Sequence, residues 1–476
     1  MHRHTTIASI IVLMLTITAT TARAAKTKWP GGKIYAFRYQ LIDKQGTAYS
    51  LDKPQKFLSR KSLERRQRQG LSLDSTDLPV SRLYLRHFEV KGVQVVGTSR
   101  WQNTVLAIST DSDALMRLAD LPCVREARRV FVSPDSIDKQ EDIRWTVHED
   151  FNKWDSVVND PLGMARPQLE MLGGDRLHDA GYRGQGMTVA ILDGGFQNYD
   201  RIPAFRQTHI LGLRDVVPPA ISTPGKQADG KAPLRIDHGT KVLSAMAAQA
   251  PEVTMGTAPE AAYWLLRCEE PSFEQPIEED FWAMAAELAD SLGVDVINSS
   301  LGYYAFDGDS GNYRLQELDG MTSHISREAS MLARKGIVLC NSAGNSGMGQ
   351  WKKIGVPADA PDILTVGAIT PDRKLASFSS LGPSQDGRVK PDVVAQGAPA
   401  VLISGRGTLV RDMGTSFSTP IVCGLVVCLW QALPEKTALE IINLVRRSAD
   451  QYTEPTNIFG YGIPDFWKAR ANDDQE

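Results

Sequence analysis

Cysteine is scarce in this chain: five residues in 476 cannot staple a disulfide scaffold. Net charge is also slight, with 53 Lys and Arg against 56 Asp and Glu, so no bulk field draws nucleic acid or an anionic membrane surface. Long apolar runs are few, and only one, at the N-terminus, suggests a targeting segment. What is present is ordinary: 42% hydrophobic and 23% charged residues, enough to build a core and exclude wholesale disorder. At roughly 150 residues per domain, the length suggests about three domains of a globular enzyme or binding protein.

The N-terminal run Ile7–Ala19 is too short to span a bilayer comfortably. Arg3 precedes it, and Ala22-Arg23-Ala24 supplies a small-x-small cleavage pattern, so residues 1–24 are expected to be a signal peptide. The alternative is an uncleaved anchor. No Cys follows the run to carry a lipid, and no second run reads as a span. The expected product is secreted or periplasmic, with no membrane attachment after cleavage. No disulfide is assigned: Cys423 and Cys428 sit five apart in one apparent helix, Cys340 reads as a buried thiol, and Cys123 and Cys268 have no evident mate.

Two blocks follow. Residues 25–134 read as a small α+β domain, with strand-like runs at Ile34–Ile42, Val93–Thr98 and Thr104–Ser109 and a helical Asp111–Asp120. Its basic run of Arg60, Lys61, Arg65, Arg66 and Arg68, interleaved by Glu64 and Gln67, predicts a solvated helix face. Residues 135–164 are polar and Asp-rich, a linker. From 165 to 470, strand-like runs at Met187–Leu192, Ala262–Leu266, Val294–Ser299, Gly336–Cys340, Ile363–Val366 and Val393–Ala395 alternate with helices such as Ile277–Leu292 and Ser323–Arg334. That rhythm predicts an α/β fold, a three-layer arrangement with a parallel β-sheet covered by helices on both faces. Chemistry in such folds gathers at the carboxyl ends of the strands. Residues 471–476 form a polar tail.

Several motifs are decoys. Gly308-Asp309-Ser310-Gly311 is followed by Asn312 in a block without an all-β pattern. As a calcium loop starting at Asp307, the same stretch has Leu318 at the twelfth position. His148-Glu149 lacks the second His of a zinc-protease helix, and Gly184-Gln185-Gly186 precedes a strand instead of following one. Three segments remain: Val189-Ala190-Ile191-Leu192-Asp193-Gly194-Gly195, a buried strand ending in Asp; Asp237-His238-Gly239-Thr240-Lys241-Val242, opening a helix; and Gly414-Thr415-Ser416-Phe417-Ser418-Thr419-Pro420, leading into the apolar helix Ile421–Leu433. Each alone reads as turn or capping chemistry. Together they give the order Asp193, His238, Ser416, spaced by 45 and 178 residues. The last His is His324, upstream of Ser416, which excludes the Ser, acid, His order of the α/β-hydrolases for this serine.

On these residues the chain resembles the subtilisin-like serine proteases, the subtilases, in which Asp, His and Ser follow in that order. Further segments fit: Asn341-Ser342-Ala343-Gly344-Asn345, where the family carries its oxyanion Asn; Ser300-Leu301-Gly302, which resembles the strand that pairs with substrate; Ile354-Gly355-Val356-Pro357, which resembles an open pocket floor at Gly355; and the closing Phe459-Gly460-Tyr461-Gly462. The resemblance spans about 165–470. It implies a secreted serine endopeptidase with Ser416 as nucleophile, His238 as base, Asp193 as its orienting group, and Asn345 with the Ser416 N–H as oxyanion donors. Ser300, Leu301, Gly302, Gly344 and Gly355 would bind protein or peptide substrates. The chemistry needs no cofactor; structural calcium is common in the family, but no metal site is assigned. The N-terminal block becomes a pro-domain, folding aid and inhibitor, released by self-cleavage in the linker; a permanently attached accessory domain is the alternative. Departures are Gly194 for the usual Thr or Ser, Lys241 for a common His, Ser244 for a usual Gly, and Tyr303, expected to narrow the cleft. Two other classes stay open: a ligase or cyclase using the same acyl-enzyme, and a silent peptide-binding protein.

Overall fold

The strand Thr188–Asp193 (β5 below) shows why this sequence makes a central sheet. Val189 and Ile191 enter one apolar cluster while Ala190 and Leu192 enter another, so both faces are buried and no polar alternation survives. The computed structural model describes residues 26–29, 32–138, 145–147, 157–222, 236–308 and 310–471. The expected signal peptide, His148-Glu149, Asp309, the tail 472–476 and part of the linker lie outside the described residues.

The N-terminal block includes the strands β1 (Tyr35–Leu41), β2 (Val93–Ser99), β3 (Thr104–Ser109) and β4 (Val124–Val132), beside its longest described helix, α1 (Arg60–Arg68). They form an antiparallel sheet in the order β2-β3-β1-β4. The larger block holds β5 (Thr188–Asp193), β6 (His209–Asp215), β7 (Ala262–Arg267), β8 (Val296–Ser299), β9 (Val338–Ser342), β10 (Leu364–Ile369) and β11 (Val393–Gln396). These run parallel in the order β11-β10-β9-β8-β5-β7-β6. Helices α2 (His238–Ala247) and α5 (Thr415–Ala432) pack on one face, and α3 (Ile277–Leu292) and α4 (His324–Met331) on the other. The fold is the α/β three-layer architecture read from the sequence, with a small α+β domain before it.

Among the described residues α5 is the single helix long and apolar enough to cross a membrane, so the expectation of no second such run fails by length and composition. Yet residues Thr415 to Trp430 are buried inside the fold, which makes α5 its central core helix. All five cysteines are buried free thiols.

The N-terminal sheet lies over α3 and α4. Ile34, Ala36, Leu106, Ile108 and Phe131 from it share a cluster with Phe281, Trp282 and Ile325. The expected solvated face of α1 is corrected here. Arg65 and Arg66 are each 2% exposed and, with Arg100, converge on the buried carboxylate of Asp290 in α3. Arg66 also pairs with Asp77 at 2.9 Å. Asp290 of the neighbouring domain adds to the block's own Asp77 as counter-charge, so this side of the helix is an interface, while Arg60 and Lys61 stay exposed as expected.

Candidate active site

Asp193 ends β5, fully buried, so its carboxylate must be hydrogen-bonded. Its Oδ1 accepts the Gly194 N–H at 2.8 Å, and its Oδ2 accepts from His238 Nδ1 at 2.8 Å. A carboxylate only accepts, so in the neutral ring Nδ1 carries the proton and Nε2 keeps its lone pair. His238 is the first residue of α2, and Gly239 explains how the helix comes so near: a Cβ there would lie 2.5 Å from the Gly195 carbonyl. Instead the Gly239 N–H donates to that carbonyl at 3.0 Å. Burial works against the imidazolium, but the Asp193 carboxylate, with a smaller push from Glu269, outweighs it and raises the ring's pKa to about 9.

Ser416 is the second residue of α5, where first-turn N–H groups have no intrahelical acceptor. Pro420 has no N–H for the Ser416 carbonyl four residues earlier, and the Ser300 hydroxyl donates to it at 2.9 Å. The proline in the serine motif thus ties the Ser416 turn to the segment after β8. The Ser416 hydroxyl itself donates to the Ser300 carbonyl at 3.4 Å and not to His238; the Phe417 ring lies 5.7 Å from the imidazole.

Asn345 Oδ1 accepts both the N–H and the hydroxyl of Thr415, each at 2.9 Å. An N–H can only donate, which fixes which end of the amide is oxygen and leaves Nδ2 as a donor for a ligand. Thr415 Oγ1 also accepts the Gly344 N–H at 3.2 Å. Ser300, Gly302, Gly344, Asn345, Gly355 and Ser416 line one cavity of about 240 Å³. Leu301 does not join them: its side chain is buried in the core and its carbonyl accepts from Asn341 Nδ2 at 3.3 Å. Gly355 is pressed against backbone, since a Cβ would come 2.6 Å from the Tyr303 carbonyl oxygen.

The expected narrowing by Tyr303 is not seen. Tyr303 is 1% exposed and held below the cleft by paired backbone bonds to Val356 at 2.8 and 2.9 Å. Tyr304 borders the cavity instead, stacked on Trp351 at 4.8 Å. Lys241 bonds Asp412 at 2.9 Å and lies 3.4 Å from Asp237, while Ser244 Oγ accepts the Ile403 N–H at 2.9 Å, so both departures brace α2 against the hairpin Ala400–Ile403 and Leu409–Asp412. Sequence reasoning passed over Thr415, which stood inside the serine motif, and Glu269, which stood in none. Among the described residues no three His, Cys, Asp or Glu side chains converge as a metal site.

A family model described as the subtilase family matches residues 184–462, more than half of the sequence. The chain belongs to the subtilase family. Residues 37–144 match a second model, the peptidase S8 propeptide domain of Bacteroidota, so the N-terminal domain of this subtilase is a propeptide domain. Among curated relatives, serine protease AprX of Bacillus subtilis (strain 168) is 27% identical over 320 residues, 59% of this chain and 65% of AprX. Subtilisin NAT of Bacillus subtilis subsp. natto is 28% identical over 289 residues, 60% of this chain and 65% of that protein. This subtilase thus spans slightly less than two thirds of the length of those relatives. M-protease of Shouchella clausii (strain KSM-K16) is 26% identical over 338 residues, 70% and 76% of the two chains. Among solved structures, the prenylagaramide maturation protease PagA matches at 23% identity and a TM-score of 0.48, over 63% of this chain and 97% of PagA.

Proposed function

We propose that this subtilase is a secreted serine endopeptidase, made as a precursor that processes itself. The observation that carries the reading is the Asp193–His238 bond at 2.8 Å beside a helix-start serine that shares a cavity with Asn345. In this reading His238 Nε2 takes the Ser416 proton as Oγ attacks the scissile carbonyl, and Asp193 steadies the imidazolium. The oxyanion is held by Asn345 Nδ2 and the Ser416 N–H, with the start of α5 adding a favourable dipole. The imidazolium protonates the leaving amine. Water, activated by the same base, then hydrolyses the ester and frees the enzyme. Nucleophile, base and donors all come from the chain, so the reaction is read as needing no cofactor.

Substrate would lie extended along Ser300–Gly302, adding a strand by backbone bonds, with one side chain in the 240 Å³ cavity. The propeptide domain would serve as inhibitor. Its docking on α3 and α4, and the Gln275 side chain bonding both N–H and C=O of Val132 at 2.9 Å, support that role. Export through residues 1–24 is part of the proposal. Peptide hydrolysis by wild type and by Ser416→Ala tests it: activity that survives in the variant refutes the assignment.

A further inference from the structure

Two departures from the family pattern, Gly194 and Tyr303, meet at one side chain. A Cβ on Gly194 would lie 3.0 Å from Glu269 Oε2, so glycine there leaves room for the carboxylate. The buried Tyr303 hydroxyl donates to Glu269 Oε1 at 3.4 Å, reaching it from below. Glu269 follows β7, two residues past its end, and makes no ion pair among the described residues. The cation nearest in sequence, Arg267, is engaged elsewhere: it bonds Asp215 at 3.0 and 3.1 Å, Glu270 at 2.7 Å and the Gly194 carbonyl at 3.2 Å. The carboxylate is half-buried beside the His238–Asp193 pair, and the nearby Glu274 and Glu278 carboxyls are themselves pushed up by burial and by Glu269, so neither brings a counter-charge.

Sheet order says which part of a substrate would meet it. The cavity walls at Ser342–Ser346 follow β9, on one side of β8. Asp193 and Glu269 follow β5 and β7, on the other side. Successive side chains of an extended peptide point in opposite directions. When the residue whose carbonyl is attacked fills the cavity, the residue before it projects toward His238 and Glu269.

We infer that Glu269 is a specificity-determining residue that selects a cationic side chain, Lys or Arg, immediately before the residue whose carbonyl is attacked. The inference rests on the peptidase reading above. A half-buried carboxylate with no counter-charge loses its remaining hydration when substrate covers it, and a cation returns a charge-assisted hydrogen bond. A leucine there would leave it uncompensated, and a glutamate would add repulsion. Burial and the nearby Asp193 raise the Glu269 pKa to about 7 against the opposing imidazolium, Tyr303 hydroxyl and Arg267, so a bound cation would favour its ionised form.

The test uses protein produced from the full chain and three peptides differing only at that position: Lys, Leu and Glu. Wild type is expected to favour Lys over Leu by about 10–100-fold in kcat/KM, the range for a hydrogen bond to a charged group. Glu269→Gln should bring the ratio near one, and Glu269→Arg should turn preference toward Glu. Tyr303→Phe, which keeps the carboxylate but removes its hold, should erode the ratio in part. A wild-type ratio near one overturns the inference. So does a Glu269→Gln variant that slows all three peptides equally, since that places Glu269's effect on the triad alone. If no peptide is cut and Ser416→Ala changes nothing, the peptidase reading itself fails and the inference falls with it.

Discussion

Thr415→Val isolates how Asn345, the proposed oxyanion donor, is held. Valine keeps the shape of this buried side chain and deletes Oγ1, which gives one of the two bonds on Asn345 Oδ1. The other, from the Thr415 N–H at 2.9 Å, survives. Losing one neutral bond is worth about 0.5–1.5 kcal/mol, or about 2–12-fold in rate. The ceiling is loss of the donor itself, about 10²–10³ in kcat, a range known from subtilisin, a relative of this chain. The Gly344 N–H also loses its acceptor at 3.2 Å, a cost that falls on stability. Steady-state kinetics should therefore show kcat lowered 2–12-fold with KM moved less than twofold. In an Asn345→Ala background the same substitution should cost nothing further, because its effect runs through the amide. Equal losses in both backgrounds, or a change confined to KM, refute the reasoning.

With His238 held up at about 9, the neutral base is the minor form at pH 7, so kcat/KM should climb through the alkaline range; a rise complete by pH 7 contradicts the Asp193 effect. Asp193→Asn should move that rise to lower pH and reduce kcat by about 10⁴, as loss of the triad carboxylate does elsewhere. Asp290 is fully buried, and although burial opposes its charge, Arg65, Arg66 and Arg100 hold its pKa at about 2, below the usual 3.8. Its contribution is complete above pH 4 and is lost as pH falls through about 2, which an acid titration of the precursor's melting should show. Asp290→Asn leaves three buried guanidinium groups short of charge and should cost about 3–5 kcal/mol in denaturant unfolding of the precursor.

The central strands were legible because burial on both faces writes them as uninterrupted apolar runs; Thr188–Asp193 was placed within one residue. The edge strand His209–Asp215 was missed, as exposure along one side leaves mixed residues. Val124–Val132 was missed too, its core residues separated by Arg and Glu. The Asp193, His238 and Ser416 segments could be singled out because each combines a strand or helix end with a chemical group, and order linked them. Long-range pairing was not legible. Nothing around Arg65 and Arg66 announces that Asp290, more than 220 residues on, supplies their charge. Likewise the pairing with Val356 that turns Tyr303 inward is a tertiary fact, and Glu269 has no motif around it.

The intact mass of the wild-type protein produced from the full chain, beside Ser416→Ala, tests the central claim most directly. The account predicts that wild type loses the propeptide domain while Ser416→Ala retains it. Retention in both would contradict self-processing, and loss in both would assign the cut to another protease.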